Sequence, residues 1–307
     1  VNGILDPASA SPYYSTMVPK ISAFHIACVF GLAASAGTAR ADGTQFPGTR
    51  PLGSGGAMRG FATGDAGPML NPSGISLIRT YQVEGAYQYG KSQDSHDARI
   101  SAVDSTSGLN LGGALYYAYH HERPDGGPGR ASHLTGASLS FPFAEKVFVG
   151  GSVKYLRFDD SASERKTGLT FDAGLTIRPV AQVAVGAVGY NLRDLGTGFA
   201  PRGFGGGAAV LPVPALLLVF DAVVQKVEGA DSAIYYMGGA EFSYAAAVAF
   251  RAGGGRDGIT KNAYVTAGLS AISAEVGTID IGFRQDVSGT AKTAVFGVSA
   301  RLFVPSM

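Results

Sequence analysis

Ile234-Tyr-Tyr-Met-Gly-Gly-Ala-Glu-Phe-Ser243 alternates with period two. Ile234, Tyr236, Gly238, Ala240 and Phe242 point one way. Tyr235, Met237, Gly239, Glu241 and Ser243 point the other, as an extended strand places them. The same parity recurs on both sides of this stretch. Leu216, Leu218, Phe220, Ala222 and Val224 alternate with Asp221 and Gln225. Ala263, Val265, Ala267, Leu269 and Ala271 alternate with Tyr264, Thr266 and Ser270, and Ile279, Ile281 and Phe283 with Asp280 and Arg284. One face is apolar throughout, while the other carries charges and hydroxyls near mid-strand. That is the pattern of strands whose outer face meets lipid.

Applied from Arg79 onward, the parity predicts strands near 79–90, 97–105, 108–120, 131–143, 146–158, 167–178 and 181–191. Seven more follow near 203–211, 215–227, 232–244, 246–254, 261–272, 274–285 and 293–304. Each is close to the 9–11 residues that a tilted strand needs to cross a bilayer. The connections also alternate in length. Polar ones fall at 91–96, 121–130, 159–166, 192–202, 228–231, 255–260 and 286–292, and short ones at 106–107, 144–145, 179–180, 212–214, 245 and 273. Long loops outside and tight turns in the periplasm define a transmembrane antiparallel β-barrel of about fourteen strands. A soluble sandwich predicts no such alternation and a more apolar enclosed face. The most apolar run, 205–224, is interrupted by Pro212, Pro214 and Asp221 and is not a membrane helix.

Composition agrees with an all-β membrane protein. Of 307 residues 45 are glycine, none is tryptophan, and charged residues make up only 15%. Apolar residues reach 46%, too many for a solvating, disordered chain. The net charge of +1 provides no field for nucleic acid, and a single cysteine builds no disulfide scaffold.

Met17-Val-Pro-Lys20, an apolar run from Ile21 to Gly37, and Ala39-Arg-Ala41 before Asp42 have the form of a secretory signal peptide cleaved after Ala41. Residues 1–16 read as an extension from a misassigned start, 17–41 as the leader, 42–78 as an N-terminal segment and 79–304 as the barrel. Cleavage removes Lys20, Arg40, Asp6, His25 and the only cysteine, Cys28, so the exported chain stays neutral and thiol-free. Its place is then the outer membrane of a Gram-negative cell, in contact with outer-membrane lipid.

Between leader and barrel lies Pro51-Leu-Gly-Ser-Gly-Gly-Ala-Met-Arg-Gly-Phe-Ala-Thr-Gly-Asp65, followed by Asn71-Pro72-Ser73-Gly74. This stretch resembles the N-terminal signature of the FadL and PorV outer-membrane proteins. Gly55-Gly56-Ala57 matches the Gly-rich part, Asp65 the acidic position, and Asn71-Pro72-Ser73-Gly74 the Asn-Pro-Ala-Gly motif with Ser for Ala. Tyr190-Asn191-Leu192, Gly239-Ala240-Glu241 and Phe250-Arg251-Ala252-Gly253 are similar to further landmarks of such barrels. The resemblance implies a lumen occluded by an N-terminal hatch that includes Gly55, Gly56, Asp65, Asn71, Pro72 and Gly74. It also implies insertion by the barrel assembly machinery, although the terminal aromatic, Phe303, stands four residues before the end. Asn71 before proline is expected to be extended and to bond nearby backbone, with Gly74 supplying a turn at positive φ.

By parity Asp172, Asp221, Glu241, Arg251, Asp280 and Arg284 face the lumen. They form either a polar path or a charge-paired network that holds a narrow barrel together; buried charges must pair in both cases. No metal, cofactor or catalytic group is expected. His120 and His121 are adjacent and point to opposite faces, and neither Gly203–Gly207 nor Gly253–Gly255 leads into the helix that a phosphate loop requires. Two functions follow from the resemblance. One is passive passage of hydrophobic small molecules, fatty-acid-like or aromatic; the other is a PorV-like barrel that binds or shuttles exported proteins at the cell surface.

Overall fold

The computed structural model describes residues 47–106, 111–123, 129–160, 165–195, 200–226, 232–290 and 292–304. The leader and the extension before it lie outside the described residues. The first seven strands are β1 (Tyr81–Gly90), β2 (Ser95–Asp104), β3 (Gly112–Glu122), β4 (Arg130–Ala144), β5 (Val147–Asp160), β6 (Lys166–Val180) and β7 (Val183–Tyr190). Then come β8 (Gly203–Val213), β9 (Leu216–Gln225), β10 (Ala233–Tyr244), β11 (Val248–Arg256), β12 (Ala263–Ser273), β13 (Gly277–Asp286) and β14 (Ala294–Phe303). Each runs antiparallel to its sequence neighbour, and β14 pairs back to β1, from Gln82 opposite Phe303 to Gly90 opposite Val295. Closure leaves no sheet edge unpaired, which is what a strand structure in lipid requires.

Parity assigns the two faces. Phe220 is 58% exposed while its neighbour Asp221 is 6% exposed, and the same contrast separates Ile279 and Ile281 from Asp280. Among the described residues no helix is long and apolar enough to cross a membrane. Strand ends differ from the periodicity by a few residues, with two consequences. β2 begins at Ser95 because its ladder with β1 continues to Gly90, and Asp94 turns the chain at φ 43°. The first outer connection is therefore the short 91–94. β3 begins at Gly112, so the first inner connection runs 105–111 rather than 106–107; within it 107–110 lie outside the described residues.

Residues 47–78 fold back inside the strands. They contain α1 (Thr49–Gly53), α2 (Gly67–Leu70) and 3₁₀ turns at Arg59–Phe61, Gly64–Ala66 and Pro72–Leu77. Such short pieces have no stability alone and depend on the surrounding wall. α1 packs on β11–β14 and β1, and the Arg59 turn packs on β7–β9. The Gly64 turn meets β1 and β2, and the Pro72 turn meets β3–β6. Ala57, Met58, Phe61, Ala62, Ala66, Leu70 and Leu77 form an apolar core with Phe148, Ala184, Ala209, Leu217 and Val219 of the wall.

Glycines set how close this inner segment comes to the sheet. A Cβ at Gly239 would meet the backbone of Ser54, and one at Gly253 would lie 2.6 Å from the Gly55 nitrogen. At Gly150 it would lie 2.5 Å from the Ser73 nitrogen. The wall is smooth there so that backbone can rest on backbone.

Candidate functional site: the lumen and its outer cavity

Inward parity brings charges from distant strands together around the inner segment. Glu241 of β10 takes both Arg50 of α1, at 2.8 Å, and Arg251 of β11, at 2.6 Å. Arg251 continues to Asp280 of β13 at 2.9 Å, and Asp280 to Arg301 of β14 at 3.5 Å. Arg301 reaches Glu84 of β1 at 3.2 Å and Asp65 of the inner segment at 2.9 Å. Arg99 of β2 closes the arc on Glu84 at 2.6 Å and Asp65 at 3.4 Å. Four guanidiniums and four carboxylates thus balance along the wall from β10 round to β2. Two of them, Arg50 and Asp65, belong to the inner segment.

The opposite wall holds the segment by other means. Asp221 of β9 accepts the Met58 and Arg59 backbone N–H groups at 2.8 Å each and the Arg59 guanidinium at 3.0 Å. Arg59 Nε donates to the Tyr190 hydroxyl at 2.8 Å, and that hydroxyl donates to the Leu70 carbonyl. Asn71 is extended (φ −165°), and its Oδ1 accepts the Ser73 N–H at 3.2 Å. Its amide donates to the Arg59 carbonyl at 3.0 Å and to Thr176 Oγ1 of β6 at 3.2 Å. Pro72 opens the last 3₁₀ turn directly after it. Gly55 and Gly56 have φ of 77° and 81° and sit against β10–β12. Tyr264 donates its hydroxyl to the Gly55 carbonyl at 2.8 Å, and Thr266 Oγ1 accepts the Gly55 N–H at 2.9 Å.

Gly74 departs from expectation. It lies within the 3₁₀ turn Pro72–Leu77 and is absent from the positive-φ positions. Its small size matters because an added Cβ would fall on the Ala62 carbonyl oxygen, with the Ala62 carbonyl carbon at 2.8 Å. Gly74→Ala is accordingly expected to destabilise the barrel by about 1–3 kcal/mol through overpacking, read as a lower urea midpoint at unchanged slope.

All six parity-assigned charges face inward. Asp172 is joined by Lys154 at 2.7 Å and by the Asn191 N–H at 2.8 Å. Arg284 lies between Asp257 at 3.1 Å and Asp286 at 3.2 Å, 3.8 Å above the Tyr264 ring. Of the adjacent histidines, His120 turns inward to Asp97 at 2.6 Å. Among the described residues no cluster of His, Cys, Asp or Glu could hold a metal ion. Reading by motif missed Arg50, Arg59, Glu84, Arg99, Lys154 and Arg301. For those on strands, the signal is the one that marked Asp280, a charge at inward parity; Arg50 and Arg59 sit where no period exists.

A cavity of about 270 Å³ lies between the inner segment and the outer loops. Leu52, Gly55, Gly56, Arg59, Met69 and Leu70 line its inner-segment side. Val223, Tyr235, Met237, Tyr264 and Arg284 form its wall, and Gln88, Gln93, Asp257, Ile259 and Thr260 its outer end. A closed antiparallel barrel of fourteen strands, apolar on its outer face and with residues 47–78 packed against its inner face, has the architecture of a transmembrane β-barrel.

The fold is that of the FadL-type outer-membrane transporters. The chain is similar to the toluene transporter TbuX of Ralstonia pickettii, with TM-score 0.67 and 13% identity over 86% of this chain and 100% of that one. It is similar to the toluene transporter TodX of Pseudomonas putida, with TM-score 0.67 and 11% identity over 87% of this chain and 100% of that one. A Pseudomonas aeruginosa FadL homologue matches with TM-score 0.63 and 12% identity over 83% of this chain and 98% of that one. No family model and no curated protein matches the sequence.

Proposed function

We propose that this protein carries hydrophobic small molecules passively across the outer membrane, after export through the leader at 17–41. The observation that supports the reading most is the cavity floor. The loop that blocks the cavity, Gly53–Arg59, is tied to the wall by Tyr264, Thr266 and Asp221, and Tyr264, Thr266 and Arg59 themselves line the cavity. A molecule that enters touches the groups that hold the floor shut. Residues 47–78 are then a hatch, with Gly55, Gly56, Asp65, Asn71, Pro72 and Gly74 shaping its seat, and passage requires it to shift. The similar toluene transporters and FadL homologue favour this class of cargo and lend no support to the protein-shuttling alternative.

A disulfide tether tests the hatch. Leu52 Cδ2 lies 2.9 Å from the site of a Cβ at Gly297 of β14, and the only native cysteine belongs to the leader. The pair Leu52→Cys with Gly297→Cys is expected to abolish uptake of a labelled hydrophobic solute into proteoliposomes when oxidised and to restore it on reduction. Equal uptake in both redox states would overturn the hatch role.

A further inference from the structure

We propose that the outer cavity selects compact, uncharged molecules with a hydrogen-bonding oxygen, in the class of simple phenols, and rejects carboxylates; this rests on the transport reading above. Size sets the first limit. A cavity of ~150 Å³ accepts benzene, so about 270 Å³ has room for one substituted ring rather than a long alkyl chain.

Charge sets the second. The two guanidiniums in the lining are both occupied, Arg59 by Asp221 at 3.0 Å and Arg284 by Asp257 and Asp286. Arg284 Cζ also lies 3.8 Å from the centroid of the Tyr264 ring. Three carboxylates therefore face two guanidiniums, and among the described lining residues an arriving carboxylate finds no further cation to offset its desolvation. The ammonium of Lys261, in the adjoining loop, is turned onto the Gly258 carbonyl at 2.6 Å.

Polarity sets the third. The inner end is lined by Leu52, Met69 and Leu70, whereas the outer end is lined by Gln88, Gln93 and Thr260. The Gln88 amide also donates to Asp97 at 3.5 Å, which leaves its carbonyl oxygen as an acceptor. A ring fits against the inner end with its oxygen toward the outer end. A plain hydrocarbon would displace water from the amides and return no hydrogen bond.

Three ligands that differ at one substituent separate these limits: 4-methylphenol, toluene and 4-methylbenzoate. The chain contains no tryptophan, so Ile259→Trp places a single indole reporter at the cavity, and equilibrium dialysis against the unaltered barrel checks each affinity. Binding is expected in the order 4-methylphenol, toluene, 4-methylbenzoate, with the benzoate at least about tenfold weaker than the phenol. Toluene or 4-methylbenzoate binding as tightly as the phenol overturns the inference, while uptake of either into proteoliposomes leaves the transport reading standing. If none of the three binds and none is taken up, both fall.

Discussion

Asp221→Ala is expected to cost the barrel about 3–5 kcal/mol, the typical cost of removing one partner from a buried ion pair. Asp221 lies on β9 with its side chain buried, and it is the carboxylate that holds the Arg59 guanidinium, whose side chain is only 5% exposed. Its loss also strands two backbone donors, Met58 N and Arg59 N, inside the lumen. The effect is local to the cavity floor, so a second readout should move with the first. In a planar bilayer the variant is expected to conduct ions where the parent barrel is nearly silent, because the loop around Arg59 is no longer tied to β9. A variant that melts with the parent and stays closed would show that the Arg59 turn is held by its apolar contacts alone.

Asp65→Asn is expected to have an effect of similar size at a different place, the seam where the barrel closes. Asp65 sits among Arg301 of β14, Gln82 of β1 and Arg99 of β2, so one side chain of the inner segment ties three consecutive strands of the closed sheet. Asparagine keeps the shape but leaves four guanidiniums facing three carboxylates in a water-poor lumen. A loss of about 3–5 kcal/mol follows, to be measured as a shift from the folded to the unfolded band on unheated or mildly heated gels. A disulfide across the seam, Gly85→Cys with Ala300→Cys, joins directly opposed residues of β1 and β14 and is expected to recover much of the loss. Parent-like resistance in Asp65→Asn would mean that Glu84 and Asp280 suffice for Arg99 and Arg301.

These two carboxylates mark a division in how the inner segment is held. Toward β5–β8 backbone rests on backbone at Gly150 and Gly186, and Gly174 leaves room for the linking side chain of Asn71. Toward β10–β14 and β2 similar close contacts, at Gly239 and Gly253, are joined by ion pairs through Arg50 and Asp65. Close packing is lost over a fraction of an ångström, whereas charge pairs act over longer distances and exchange partners. The disulfide tether at Leu52 is placed on the side where Arg50 and Asp65 add these longer-range pairs to the packing.

Most of the barrel was legible in the chain because lipid leaves a strand little choice. An outward residue must be apolar and an inward one need not be, so parity alone separated Phe220 from Asp221 and Ile281 from Asp280, and counting such segments gave fourteen. Strand ends were less legible, since a ladder continues as far as its neighbour allows; β2 reaches Ser95 because Gly90 is there to pair with it. The glycine-rich stretch before Asp65 and the Asn71-Pro72 step announced a segment of unusual conformation, although the role of Gly74 was misread. Its constraint is the neighbouring Ala62 carbonyl, which nothing local reveals.

The sequence by itself determined the all-β class, the strand number and which residues face inward, because these follow from a period-two pattern against a lipid boundary. Only the tertiary structure decided which charge meets which. Arg50 finds Glu241 across 191 residues and Arg301 finds Glu84 across 217, and both pairings exist only once β14 has closed on β1 and the chain has turned back into the lumen. The same closure sets the volume of the outer cavity and brings two occupied guanidiniums, Arg59 of the inner segment and Arg284 of the wall, into its lining.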